Sequence, residues 1–172
     1  MSWRTELRAA AAAALAPLVP AGRVFQAPTW PLAPSSVPAI LLNTSLEAKE
    51  SLGKAAVEFT VTTQLVVRLQ LAASTDTAAE AAVEALADAA ENTLLTSEAF
   101  MAMLEQVAHV ETEILVTPQA KSYVAEAAIT LACQGFWEPV VPPSVPLAGI
   151  TIAPPPGETG PILHATIPQN SL

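Results

Sequence analysis

The sequence predicts an α+β fold: an antiparallel sheet with a long central strand, packed by an N-terminal helix and a long amphipathic helix, plus a Pro-rich C-terminal extension. Three observations predict it. Val57–Leu71 (VEFTVTTQLVVRLQL) alternates over fifteen residues, with Val57, Phe59, Val61, Thr63, Leu65, Val67, Leu69 and Leu71 on one face. The other face is polar apart from Val66. At about 3.3 Å per residue such a strand spans roughly 50 Å, well beyond the usual length. Second, residues 2–16 and 76–95 repeat apolar side chains at helical spacing. Third, residues 139–172 hold nine of the sixteen prolines and one charged residue, Glu158. The composition therefore divides the chain into residues 1–138, an α+β domain, and 139–172, a Pro-rich arm or hairpin.

In chain order, Ser2 is placed to cap the first helix, and the alanine run after Arg8 has the highest helix propensity available. Trp3, Leu7, Ala11, Ala14, Leu15 and Leu18 share one face, and Pro17 ends the helix. Arg23–Gln26 is a short strand. Pro28–Pro38, with four prolines in eleven residues, is an ordered loop or extended connector. Ala39–Asn43 (AILLN) is a short, fully apolar, central strand. Thr44–Lys54 (TSLEAKESLGK) is charged and ends near a glycine, which predicts a long hairpin loop before the long strand.

The helix from Asp76 to Leu95 has Thr77 and Glu80 in capping-box spacing, with Asp76 an alternative cap. Val83, Leu86, Ala90 and Leu94 form its apolar stripe. Asp76, Glu80, Glu84, Asp88 and Glu91 form an opposing acidic stripe with no Lys or Arg among them. That stripe is either a solvated face or one that repels a polyanion or awaits a basic neighbour. Ser97 caps a short helix to Leu104 with Phe100, Met101 and Leu104 inward. Gln106–Val116 alternates with Ala108, Val110, Thr112, Ile114 and Val116 on one face, closed by Thr117-Pro118. Tyr123–Phe136 is the last core strand, with Tyr123, Ala125, Ala127, Ile129, Leu131 and Cys133 inward. In the extension, Gly149–Ala153 and Ile162–Ile167 flank PPPGETG. They form a hairpin on their own domain, an arm laid on a neighbouring subunit by strand addition, or a loose segment; Ile150 and Ile152 are the candidate contact residues.

Composition bounds the function. Although 52% of residues are hydrophobic, 35 are alanine, and no run of 18 apolar residues is free of Pro and charge, so no membrane span is expected. Glu6 interrupts the basic start, so no cleaved signal is expected either. The net charge of −9 is uneven. Residues 1–54 hold five basic and three acidic groups (net +2), and residues 55–172 hold two basic and thirteen acidic (net −11). Such a surface repels nucleic-acid phosphates. Self-association of these subunits needs apolar contact or the basic N-terminal third meeting the acidic remainder of a neighbour.

No catalytic, cofactor-binding or metal site emerges. His109 and His164 have no partner at ligand spacing, Cys133 shares strand parity with Ile129 and Leu131, and the six glycines make no phosphate loop. Glu111 and Glu113 are a solvated pair on one strand face. Trp3, Trp30 and Trp137 are packing or interface anchors.

The order of elements, with Thr5–Ala10 (TELRAA), Val37–Leu42 (VPAILL), the long strand and its following helix, and Ala125–Gln134 (AEAAITLACQ), resembles the tail-terminator proteins of long-tailed bacteriophages of the lambda type and their relatives in phage-derived tail structures. The resemblance covers residues 1–138. It implies a non-enzymatic virion protein that assembles as a homo-hexameric ring on the head-proximal end of the tail tube. The ring would stop tube polymerisation and offer the surface for the head–tail connector protein, with DNA passing through its lumen without specific binding and no membrane contact. By the same resemblance Thr44–Lys54 lies where the family has a flexible loop, so Glu47, Lys49, Glu50 and Lys54 are expected to meet a neighbouring subunit or the tail-tube protein. Glu80, Glu84 and Asp88 join them as candidate interface residues. The alternatives are another tail-tube or head–tail completion protein or, from a different class, a small exported binding module.

Overall fold

A computed structural model describes residues 2–26, 36–53, 58–119, 122–139, 149–152 and 163–166. Contacts divide the chain into two compact units, Met1–Glu138 and Pro139–Leu172.

The first unit is one five-stranded sheet with helices on one face. Helix α1 (Trp3–Leu15) leads through a short 3-10 helix (Ala16–Leu18) and a turn to β1 (Val24–Gln26), β2 (Ala39–Ser51) and β3 (Phe59–Ala73). Helices α2 (Asp76–Thr96) and α3 (Glu98–Met101) follow, then β4 (Gln106–Gln119) and β5 (Ser122–Trp137). The spatial order is β1-β2-β3-β5-β4, with β3 in the middle. All pairs are antiparallel except β1 with β2, so the sheet is mixed rather than antiparallel throughout.

The long central strand forms because its alternation matches the pleat. Val61, Thr63, Leu65, Val67, Leu69 and Leu71 all face the helices and are buried. Inward positions of β5 (Ala125, Ala127, Ile129, Leu131 and Cys133) lie beside them, and the small alanines leave room for α2. α2 buries Ala79, Val83, Ala87, Ala90 and Leu94, α1 buries Leu7, Ala11 and Leu15, and Phe100 of α3 closes the end of this layer. Leu86, expected in the apolar stripe, is only partly buried at its margin.

Several local expectations are corrected. Thr44–Lys54 is not a hairpin loop: β2 runs on to Ser51, paired with β3 down to Phe59, and the reversal falls after it. Ala39–Asn43 is thus the first part of a long strand next to the central one. A bulge between Thr44 and Leu46 inserts one extra residue and reverses the parity of β2. Before it Ile40 and Leu42 face the helices; after it Glu47 and Lys49 do, opposite Thr63 and Val61. A second bulge between Val107 and His109 does the same to β4, so Val107 and not Ala108 packs on the core. The strand also passes through Thr117-Pro118 to Gln119. That is tolerated because β4 is an edge strand, where proline's missing N–H costs no ladder bond.

The cap of α2 is Thr75, whose Oγ1 accepts from Ala78 N at 3.2 Å, rather than Thr77 or Asp76. Ser97 does cap α3, accepting from Phe100 N at 3.4 Å, but that helix ends at Met101. Val57, Lys54 and most of the Pro28–Pro38 connector lie outside the described residues. In the second unit, β6 (Gly149–Ile152) and β7 (Leu163–Thr166) pair as an antiparallel hairpin, with Ile150 opposite Ala165 and Ile152 opposite Leu163.

Candidate assembly surfaces

The sheet is longer than the helices that cover it. At the end formed by Glu47–Ser51, Phe59–Thr63 and Cys133–Trp137, the helix-facing side extends past the first turn of α1, where polar and aromatic groups replace aliphatic ones. Trp3, at the start of α1, donates from Nε1 to Thr63 Oγ1 at 3.1 Å. Thr63 Oγ1 in turn donates to Glu47 Oε2 at 3.5 Å. Glu47 collects two cations, Arg4 Nε at 3.4 Å and Lys49 Nζ at 3.5 Å. Lys49 Nζ also lies 3.8 Å from the centroid of the Trp137 ring, a cation–π contact, and Phe59 packs against Trp137 at 5.7 Å between centroids. Gly135 permits the arrangement: a Cβ there would lie 3.2 Å from Trp3 Cη2. Together Trp3, Arg4, Glu47, Lys49, Val61 and Trp137 line a cavity of about 290 Å³.

Beside this ordered cluster the surface is apolar. Phe136 is 64% exposed, Leu52 55% and Trp137 39%, and they line a second hollow of about 410 Å³ with Glu58 and Glu138. Large apolar side chains clustered at one end of a sheet mark an interaction surface more than scattered ones do. The sheet face away from the helices is mostly polar. Gln134 Nε2 donates to Thr62 Oγ1 at 3.1 Å, Ser45 Oγ to Gln64 Oε1 at 3.3 Å, and Arg68 lies 3.5 Å from Glu126. Burial raises the Glu126 carboxyl above its ordinary range, and the Arg68 guanidinium partly opposes that rise.

The predicted interface residues fall into separate places. Glu47 and Lys49 meet, but in a strand rather than on a loop. Glu50, of opposite parity, sits across from Thr60 on the other face and is exposed. Lys54 lies outside the described residues. Glu80, Glu84 and Asp88 share one exposed side of α2 with Glu91, which accepts a hydrogen bond from Thr112 of β4. Ile150 and Ile152 are on β6 of the second unit. Sequence reasoning missed Arg4 and the Leu52–Phe136–Trp137 patch. Arg4 carries no signal of its own, because its partner Glu47 is remote in sequence; Trp137 was visible as an anchor.

Cys133 is buried, and burial pushes its thiol up to about 12, which keeps it neutral and unreactive. Among the described residues no group of His, Cys, Asp or Glu could hold a metal ion, and no helix is long and apolar enough to cross a membrane.

No family model matches the sequence, and no curated protein matches it. Among solved structures, a chain described as the virion of a native gene transfer agent (GTA) particle is similar to this one. The two share 17% identity over 75% of this chain and 95% of that one, with a TM-score of 0.40.

Proposed function

We propose that this protein is a non-enzymatic structural component of a phage-type virion: a tail terminator that caps the head-proximal end of the tail tube as a homo-hexameric ring. In this role it stops tube polymerisation, presents a surface to the head–tail connector protein, and lets DNA pass through the lumen without specific contact. It works in the host cytoplasm during assembly and thereafter in the virion.

The observation that carries the reading is the uncovered end of the sheet. There Leu52, Phe136 and Trp137 are held exposed beside an ordered Arg4–Glu47–Lys49 cluster. Apolar anchors rimmed by fixed charges suit a protein surface better than a small substrate. The resemblance of residues 1–138 to tail terminators supplies the specific role, and the net charge of −9 suits a wall that must not grip DNA. Residues 139–172 serve as a strand-forming appendage that staples the ring through Ile150 and Ile152.

The test is electron microscopy of particles from a strain lacking this gene. Overlong or ragged tubes unattached to heads are expected. Complete absence of tubes would make it a tube or initiation subunit, and normal infectious particles would overturn the assembly role.

A further inference from the structure

The two outer flanks of the five-stranded sheet carry opposite charge, and we infer that they are the two halves of one head-to-tail contact between copies of this chain. The α1/β2 flank of one copy docks on the α2/β4 flank of the next. The inference rests on the ring reading above and names the surfaces that close the ring.

The basic flank is built from α1 and the strands beneath it. Arg4 and Arg8 are four residues apart and therefore share one side of α1. Arg4 meets Glu47 at 3.4 Å and Arg8 Nη1 donates to Thr44 Oγ1 at 2.6 Å, so that side looks along β2. Arg23, at the entry to β1, donates from Nη1 to Val37 O at 3.2 Å. With Lys49 these make four cations against three carboxylates on the same elements: Glu47, which Arg4 and Lys49 share, Glu6 of α1 and Glu50 of β2. Among the described residues neither Arg8 nor Arg23 forms an ion pair, and Arg8 Nε is buried without a hydrogen-bond partner.

The acidic flank is the opposite edge. Asp76–Gln119, covering α2, α3 and β4, contains nine acidic residues and no Lys or Arg. Glu80, Glu84, Asp88 and Glu91 recur at spacings of three and four, hence along one side of α2. The Thr112–Glu91 hydrogen bond turns that side toward β4, away from α1. None of the four meets a cation among the described residues. Ile114, on the same face of β4 as Thr112, is 39% exposed beside them.

A second copy of this chain fits both halves. In the order β1-β2-β3-β5-β4 the two flanks lie toward opposite sides of one sheet, β2 being bordered among the described residues only by the three residues of β1, so each copy offers one of each. A two-fold contact through either flank would set like charge against like, whereas a head-to-tail contact pairs opposites and leaves a free half at each end. Repetition of such a contact closes into a ring when the rotation permits. β2, past the three residues that β1 borders, and the edge strand β4 each carry a bulge and charged residues, features that discourage bare strand-to-strand pairing. The contact is therefore one of side-chain ion pairs, and it weakens as salt rises.

The experiment is sedimentation velocity of the full chain at low and at molar salt, with and without tail tubes, using two charge-reversed variants. The first carries Glu80→Lys, Glu84→Lys and Asp88→Lys; the second carries Arg4→Glu and Lys49→Glu. Wild type should associate at low salt and dissociate at high salt. Each variant alone should stay monomeric with an unchanged circular dichroism spectrum, and an equimolar mixture should recover association, because reversed flank then meets reversed flank. Should the second variant not fold, the first decides alone. If it associates like wild type, or fails only to bind tubes, the flank assignment is overturned and the ring stands. Failure of the mixture to recover overturns it as well. Wild type that remains monomeric under every condition removes both the ring and the contact.

Discussion

The helix-facing side of β3 passes through two environments on one unbroken strand. From Leu65 to Leu71 it lies under α1 and α2, in a core made mostly of aliphatic and small side chains such as Leu7, Leu15, Val83, Leu94 and Ile129. From Phe59 to Thr63 the same parity faces Trp3, Glu47, Lys49 and Trp137. The strand does not change; the cover does. An uncovered half needs partners that satisfy polar groups at the boundary, and Thr63 provides them by accepting from Trp3 and donating to Glu47. One half therefore holds the fold, and the other is free to hold a neighbour.

Substitutions can break this contrast. Leu69→Ala, in the dry half, should cost about 3–5 kcal/mol in urea unfolding, the range for truncation in a core that cannot collapse. Trp3→Ala, at the boundary, should cost only about 1–2 kcal/mol, since its ring is partly exposed and its hydrogen bond contributes about 1 kcal/mol net. Equal costs would mean that the uncovered end is part of the core. Gly135→Ala sharpens the comparison, because its new Cβ would press on the Trp3 ring at 3.2 Å. A cost of about 1 kcal/mol is expected, and a double-mutant cycle should show it vanishing in the Trp3→Ala background.

Much of the covered half was legible in the sequence. One face of β3 and β5 is fully buried, and burial on one face writes a period of two that survives into structure. The uncovered half was not. Thr44–Ser51 is charged because only the polar start of α1 reaches over it, through Arg4 and Arg8, and charge without apolar alternation resembles a loop. Its strand character comes from the ladder with β3, a partner whose position no local signal records. The bulges were equally silent: one extra residue at Ser45 or Ala108 changes parity without changing composition, which is why Ala108 was expected inward. For the same reason Glu47 and Lys49 were expected only as contacts to a neighbour, alongside Glu50 and Lys54, and not as partners of Arg4, which joins them only after the chain folds back.

The smallest expected effect lies on the opposite face of the sheet and serves as a control. The raised Glu126 carboxyl means that the folded protein holds that proton more tightly than the unfolded chain does. Between the ordinary and the raised value unfolding releases a proton, so stability falls as pH rises through that window and levels off above it. Glu126→Gln should remove this decline, seen as a flatter melting temperature across the acid-to-neutral range by calorimetry. Neither Leu69→Ala nor Trp3→Ala should alter that profile.

The single cysteine gives the protein an internal clock. Cys133 lies on β5 between Thr63 of β3 and Val107 of β4, fully buried and protonated at ordinary pH. A thiol reagent can reach it only when the cover on the helix-facing side of β5 lifts or the sheet parts, so the rate of labelling counts those openings. Incorporated into an assembly, the same sulfur would report, without any added probe, how far a neighbour's grip slows the breathing of each subunit.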